Sequence, residues 1–153
     1  MGTSTDDLIR IDVRDVALSV DESMDFVRHS SAGAVVVFTG MVRDHNEGQS
    51  VSGLEYEAYI PMAKAEMTRI AEGIMEDIPG LRLFAVHRVG KLEIGDLAIV
   101  CAVSSAHRQQ AFEACRLLID RIKESVPVWK REQAASGEKW VGWGTDDAAE
   151  RER

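Results

Sequence analysis

The chain has 153 residues, of which 45% are hydrophobic and 29% are charged, the balance of an ordinary globular protein. This length fits one domain with enough buried apolar surface to fold without disulfides or metals. The formal net charge of -8 at pH 7 argues against binding to nucleic acid or an anionic membrane. The sequence has neither a transmembrane-length apolar run nor an N-terminal signal segment, and it therefore predicts a cytoplasmic protein.

The first part of the chain alternates strand and helix patterns. Residues 8–13 alternate apolar and polar side chains and predict a strand. A short helix follows, capped by Ser19 or Asp21 and ended by Gly33. Residues 33–43 form a continuous β-branched run between glycines, which is typical of a strand buried on both faces.

The middle of the chain predicts a loop, a strand and a long helix. Residues 44–50 are polar and form the loop, and residues 51–60 alternate as a half-exposed strand. Pro61 suits the first turn of a helix that ends at about Ile78. One face of the strand carries Leu54, Tyr56 and Ala58.

The last part of the chain predicts two strands, a helix and a hairpin. The strands cover 81–90 and 97–106, and Gly95-Asp96 is predicted to form a turn between them. A helix runs from about His107 to Ser125, and a hairpin within 126–143 completes the chain. The side chains expected to point inward from this helix are Phe112, Cys115, Leu118, Ile119 and Ile122.

These elements predict an α+β fold with a mixed or antiparallel sheet, because several strand pairs are joined by short turns. We expect a single domain over residues 1–153, with residues 1–7 and 144–153 as flexible tails. Cys101 and Cys115 are predicted to be buried core residues, because one lies in an apolar run and the other on an apolar helix face.

Positively charged side chains gather at the ends of the predicted elements, against the acidic trend of the whole chain. They are Arg43 after the β-branched strand, the pair His107-Arg108 at a strand-to-helix junction, Lys123, and the pair Lys130-Arg131. Ser104 or Ser105 could cap the helix at that junction, where free N–H groups and an arginine form a ready anion site. The alternative is that Arg108 is solvated and His107 merely begins the helix.

Lys123 borders the apolar stripe of its helix, so its ammonium either extends to water or stays partly desolvated and donates a proton. His87-Arg88 is interpreted as structural. Asp44-His45 has no companion ligands at metal-binding spacing, so no metal site is predicted. From the residues alone, the sequence predicts a local anion pocket and does not identify the anion.

The chain resembles the large, catalytic subunits of molybdopterin synthase in three stretches: GAVVVFTGMVRDHN, SSAHRQQAFEACRLLIDRIKESVPVWKRE and KWVGW. The motifs F-T-G-x-V-R, S-A-H-R, and a lysine followed by P-x-W-K-x-E occur in the family's order. The similarity extends from about residue 8 to 143. It implies an α/β hammerhead fold with an added antiparallel β subdomain.

The resemblance also implies a reaction and its partners. The family converts cyclic pyranopterin monophosphate (precursor Z) to molybdopterin by installing two sulfurs as a dithiolene. The sulfur arrives as a thiocarboxylate on the C-terminal Gly-Gly tail of a small ubiquitin-like subunit, so neither a metal nor a bound cofactor is expected. Two large subunits form the central homodimer of a heterotetramer.

Roles in the resemblance transfer position by position. Lys123 matches the essential active-site lysine, and Lys130 matches the second important lysine. The expected substrate-binding residues are Phe38, Met41, Val42, Arg43, Lys123, Lys130, Arg131 and Glu132, together with His107 and Arg108, which would bind phosphate across the dimer interface. Met41 stands where some members have lysine, which leaves open the role of that side chain.

Two alternatives to the synthase remain open. The chain could be a non-catalytic relative that binds the small subunit or a phosphorylated pterin without turnover. It could also be a sulfurtransferase that carries sulfur on its own cysteine, although Cys101 and Cys115 are expected to be buried and unactivated.

Overall fold

The computed structural model of the protein describes residues 5–46, 48–134 and 137–141. The elements follow one another as α1 (Thr5–Leu8), β1 (Ile9–Arg14), α2 (Val20–Val27), β2 (Ala34–Met41), β3 (His45–Asn46), β4 (Gln49–Ala58), α3 (Ile60–Asp77), β5 (Arg82–Arg88), β6 (Gly90–Glu93), β7 (Leu97–Ser105), α4 (Arg108–Ser125), β8 (Val128–Ala134) and β9 (Gly137–Val141). Residues 5–7, expected in a flexible tail, belong to α1. The tail expected at 144–153 lies outside the described residues.

The first sheet has the strand order β1-β5-β7-β2 and is mixed. β1 and β5 are parallel, whereas β7 runs antiparallel to both β5 and β2. Helices α3 and α4 pack on one face over the larger core, and α2 covers the other face. The first sheet therefore has a helical layer on each side.

The second sheet is antiparallel and is built around the long strand β4. β4 pairs with β3, β6 and β8, and β8 continues into β9 as a hairpin. Tyr56 of β4 packs against both the large core and a smaller core that contains Val42, Leu54 and Leu92. The structure confirms the α+β class with an antiparallel β subdomain, and Tyr56 lies where the two parts meet.

Several local predictions are confirmed. Ser19 caps α2, because its hydroxyl oxygen accepts a hydrogen bond from the Glu22 N–H at 3.1 Å. Pro61 lies in the first turn of α3, and Ile78 is the C-terminal cap residue of that helix. Gly95 adopts φ of 90°, and the Asp96 carboxylate accepts the Glu93 N–H at 2.9 Å, so the predicted turn forms.

The prediction that residues 33–43 form a strand buried on both faces is wrong. β2 is an edge strand of the first sheet, and all of its side chains are partly or largely exposed. Continuous apolar strands are typical of central parallel strands, but here the same pattern belongs to an edge. The predicted loop at 44–50 also contains β3, which pairs with the start of β4.

Two predictions about α4 are wrong. Phe112 was expected to point inward, but it is 62% exposed. Ser104 and Ser105 were expected as the cap, but His107 occupies the cap position and its side chain makes no cap hydrogen bond. Ser104 and Ser105 are instead the last two residues of β7, and both are buried.

Candidate active site at the end of the first sheet

Helix α4 carries predicted site residues at both of its ends. His107 and Arg108 begin the helix, and Lys123 lies in its last turn. At about 1.5 Å per residue, His107 and Lys123 are about 24 Å apart along the helix axis. These two sets of residues therefore cannot contact one small substrate within a single chain.

The topology decides which strand ends lie near Lys123. α4 follows β7 and packs back on β7 and β2, so its last turn returns toward the start of β7. Met41 at the end of β2 pairs with Leu97 at the start of β7. Arg43 and Lys123 therefore belong to the same end of the sheet, which we call the lysine end. His107 and Arg108 form the opposite end, which we call the helix start.

The turn after β2 is fixed by its backbone and by one buried side chain. Val42 is 3% exposed, its N–H donates to the Asp96 carbonyl at 3.0 Å, and its carbonyl accepts the Gly95 N–H at 2.8 Å. A register shift occurs between Gly40 and Met41, where the strand leaves its regular pairing. The side chains of Met41 and Arg43, on either side of Val42, are exposed.

Lys130 comes from the second sheet. In β8 it lies opposite Tyr56, and its ammonium is 3.6 Å from the Glu132 carboxylate. The Lys130 side chain is only 19% exposed and that of Glu132 only 7%. The pair is largely removed from water, so its charges are screened weakly, and Glu132 partly offsets the positive charge that Lys130 presents to an anion.

Arg131 projects from the other face of the same strand. Neighbouring residues in a strand point to opposite sides, and Arg131 lies opposite Glu55, with which it forms an ion pair. The structure thus brings Lys130 and Glu132 together and directs Arg131 away from them. The Arg131–Glu55 ion pair joins β8 to β4, and the substrate-binding role expected of Arg131 stays a prediction.

Phe38 lies in the edge strand β2 and is 37% exposed. It pairs with Cys101, whose side chain belongs to the core under α3 and α4, so Phe38 shares the α4 face of the sheet. An exposed aromatic ring on this edge is available to a ligand or to another chain.

Comparison with known proteins identifies the family. The family model described as MoaE protein matches residues 13–125. The chain is 46% identical over 137 residues to a molybdopterin synthase catalytic subunit of Staphylococcus carnosus, covering 88% of this chain and 91% of that protein. The chain belongs to the MoaE family.

Solved structures agree with this assignment. A crystal structure of molybdopterin synthase from Staphylococcus aureus aligns with a TM-score of 0.82 at 44% identity, covering 86% of this chain and 96% of that one. A complex of subunits 1 and 2 of molybdopterin-converting factor from Helicobacter pylori aligns with a TM-score of 0.66 at 21% identity over 88% and 90% of the two chains, which supports the fold.

The two cysteines of this MoaE-family chain are buried, as predicted, at 0% exposure for Cys101 and 3% for Cys115. Burial raises the pKa of the Cys115 thiol to about 11 and that of Cys101 well above its usual value. Because the reactive form of cysteine is the thiolate, neither residue is suited to carrying sulfur.

Among the residues that the structure describes, no three His, Cys, Asp or Glu side chains are grouped so that they could bind a metal ion. No helix in that same part of the chain combines the length and apolar character needed to cross a membrane.

The sequence analysis interpreted His87 as structural and did not predict its contact with Tyr56. His87 is 8% exposed on the α3 and α4 side of β5, and its ring lies against that of Tyr56, with centroids 5.2 Å apart. A polar residue on the core-facing side of an otherwise apolar strand was the available signal. The surroundings of His87 include Tyr56 and Lys123, which are distant from it in sequence.

Proposed function

We propose that this chain is the catalytic subunit of a molybdopterin synthase. It transfers sulfur from the C-terminal thiocarboxylate of a small ubiquitin-like subunit to cyclic pyranopterin monophosphate and thereby forms the dithiolene of molybdopterin. Each sulfur transfer leaves the carrier with an ordinary carboxylate. The reaction requires no metal or redox cofactor from this chain and is proposed to take place in the cytoplasm.

The observation that carries this proposal is that Lys123 and Lys130 both neighbour the contact of His87 with Tyr56, since Lys123 acts electrostatically on His87 and Tyr56 lies opposite Lys130. Lys123 comes from the last turn of α4, whereas Lys130 comes from a strand of the other sheet. Both the carrier tail and the pterin phosphate are anions. Two ammonium groups, with Arg43 after β2, provide the positive charge that such ligands require.

The two lysines have different surroundings, which supports different roles. Lys123 is exposed, so it can approach the incoming thiocarboxylate, polarise its carbonyl oxygen and exchange a proton with solvent. Lys130 is largely buried beside Glu132, so its position is more restricted. We assign carbonyl polarisation and proton transfer to Lys123 and substrate positioning to Lys130.

The helix start must act from a second copy of the chain. His107 and Arg108 are exposed and lie about 24 Å from Lys123 along α4. In the central homodimer, His107 and Arg108 of one chain would bind the pterin phosphate beside Lys123 of the other. Helix N–H groups and a guanidinium are well suited to a phosphate. A small carrier subunit at each end completes the proposed heterotetramer.

A reconstitution tests the proposed function. The purified protein is mixed with a thiocarboxylated small subunit and precursor Z, and molybdopterin is measured after oxidation to a fluorescent pterin. We expect product with the wild type and at least a roughly hundred-fold lower rate with Lys123→Ala, because that variant removes a charge at the reacting carbonyl. Complex formation with the carrier is measured in parallel.

Arg116→Ala is the matched control. Arg116 lies on the same helix, is 84% exposed on its side chain, and pairs only loosely with Asp120 at 3.5 Å. Its removal should leave the rate within about two-fold. Equal rates for the wild type and Lys123→Ala would remove Lys123 from the chemistry. A complex that forms but yields no product would indicate a non-catalytic binding protein.

A further inference from the structure

His87 is a buried titratable residue that the proposed mechanism does not use. On β5 it pairs with Val13 of β1 and Ile99 of β7, so both in-sheet neighbours are apolar. Its ring contacts Tyr56 of β4, and the ammonium of Lys123 in the last turn of α4 acts on it electrostatically. A titratable side chain in such surroundings requires a reason beyond filling space.

The hydrogen bond of His87 fixes its tautomer. Nδ1 lies 2.8 Å from the Arg88 carbonyl oxygen, and because a carbonyl can only accept, Nδ1 carries the proton. Burial lowers the pKa of His87 to about 4, the bond to Arg88 opposes this, and the charge of Lys123 lowers the pKa further. The ring is therefore neutral and held in one orientation at physiological pH.

Tyr56 links the His87 ring to Lys130. The rings of His87 and Tyr56 meet edge to face at 72°, a favourable aromatic geometry. Tyr56 is the cross-strand partner of Lys130, so the two side chains leave the same face of the second sheet at neighbouring positions. His87 thus supports one side of Tyr56, and Lys130 lies beside that same residue.

We propose that His87 is a positioning residue of the active site, whose neutral ring holds Tyr56 and, through Tyr56, sets the position of Lys130. The inference rests on the proposed function for its effect on turnover. The proposed effect of His87 on the positions of Tyr56 and Lys130 involves this chain alone. The proposal also explains why a ring, rather than an aliphatic side chain, occupies this place in an otherwise apolar strand.

Two variants separate the ring from the hydrogen bond. His87→Asn keeps an N–H that can reach the Arg88 carbonyl but loses the ring, whereas His87→Phe keeps a ring and loses the N–H. We expect His87→Asn to lower the rate per folded molecule by about ten-fold or more, because small displacements of positioning groups are costly. We expect His87→Phe to stay within about three-fold of wild type. The affinity for the carrier should change little in either variant.

Val86→Ala is the matched control for a general loss of stability. Val86 is 1% exposed on the same strand but packs in the core beneath α2, on the opposite face. This variant should unfold at a lower temperature and keep the wild-type rate per folded molecule. Rates for His87→Asn that equal those of Val86→Ala at matched folded fraction would overturn the proposal.

A second measurement does not depend on turnover. NMR spectra of the wild type and variants, with labelled lysine and tyrosine side chains, report on Tyr56 and Lys130 directly. In His87→Asn both resonances should shift, and in Val86→Ala neither should. Unchanged resonances in His87→Asn would overturn the inference. If the wild type makes no molybdopterin, the proposed function fails while this measurement still decides the role of His87.

Discussion

The charged residues at the lysine end and at the helix start lie in different surroundings. At the lysine end, the side chains of Lys130 and Glu132 on β8 are largely buried, whereas Lys123 of α4 is exposed. At the helix start, His107 and Arg108 are exposed, and His107 makes no side-chain cap bond. The lysine end combines an exposed lysine with a largely buried ion pair, whereas the helix start presents only exposed groups, which suits the proposal that they complete a neighbour's site.

The largest expected effect comes from mixing two inactive variants, one from each end of α4. Lys123→Ala and Arg108→Ala should each lower the rate by roughly a hundred-fold or more. If the two ends act together across a dimer, random exchange of equal amounts gives mixed dimers with one intact site of two. Activity should then recover to about a quarter of wild type.

The control for this mixture is either variant alone carried through the same exchange. Recovery requires subunit exchange, which is followed by native mass spectrometry of differently labelled chains. Mixed dimers without recovered activity would place Lys123 and Arg108 in the same chain's site or in unrelated roles.

Acidification should destabilise the folded protein, because the buried His87 is neutral. The folded pKa of about 4 lies below the ordinary 6.5, so the unfolded chain binds the extra proton first as the pH falls. The contribution of neutral His87 to the free energy of unfolding is fully present above about pH 6.5, and it decreases by about 3 kcal/mol as the pH falls to 4. Urea unfolding across this range measures the loss.

His87→Phe is the control, because it should flatten the pH dependence between about 6.5 and 4. The Asp12 and Glu22 carboxyls, whose pKa values are lowered by their bonds to Arg14, add their losses at still lower pH, since a depressed carboxyl pKa costs stability only as pH falls through it. If His87→Phe retains the full pH dependence of stability, another group is responsible for that dependence.

Glu132→Gln tests whether the buried pair is coupled to stability. Removing one charge leaves the largely buried Lys130 ammonium without that counter-charge, and we expect a loss of about 2 kcal/mol in the free energy of unfolding. Glu66→Gln breaks a pair whose arginine, Arg69, is 70% exposed, and should cost less than about 0.5 kcal/mol. Equal losses, measured by urea unfolding, would contradict the difference in burial.

Among the variants of predicted site residues, His107→Ser should have the smallest effect on stability, and this effect should have the opposite sign. His107 has the extended backbone of a cap residue, with φ of -125° and ψ of 149°, but makes no side-chain cap bond. Serine could supply that bond and stabilise the protein by about 0.5–1 kcal/mol. Higher thermal stability with lower synthase activity would indicate that histidine is retained for binding. Unchanged activity would remove His107 from the site.

The sequence by itself determined the elements and the identity of the charged residues. Alternation, helical spacing, Ser19 and Pro61 located most of the strands and helices, because these signals are local. The resemblance to molybdopterin synthase subunits selected Lys123 and Lys130 from among many charged side chains. The buried cysteines were also correctly predicted, since both lie in apolar surroundings along the chain.

Only the tertiary structure decided how these parts meet. The apolar run of β2 does not reveal that the strand lies at an edge, because edge and centre differ in partners that are distant in sequence. Strand alternation gives the faces of Lys130 and Arg131 only when the core side of the sheet is known. His87 gains its proposed role from Tyr56 and α4, which lie far from it along the chain. The neighbours that set charge, burial and orientation are thus assembled by folding, whereas the residues themselves are chosen by sequence.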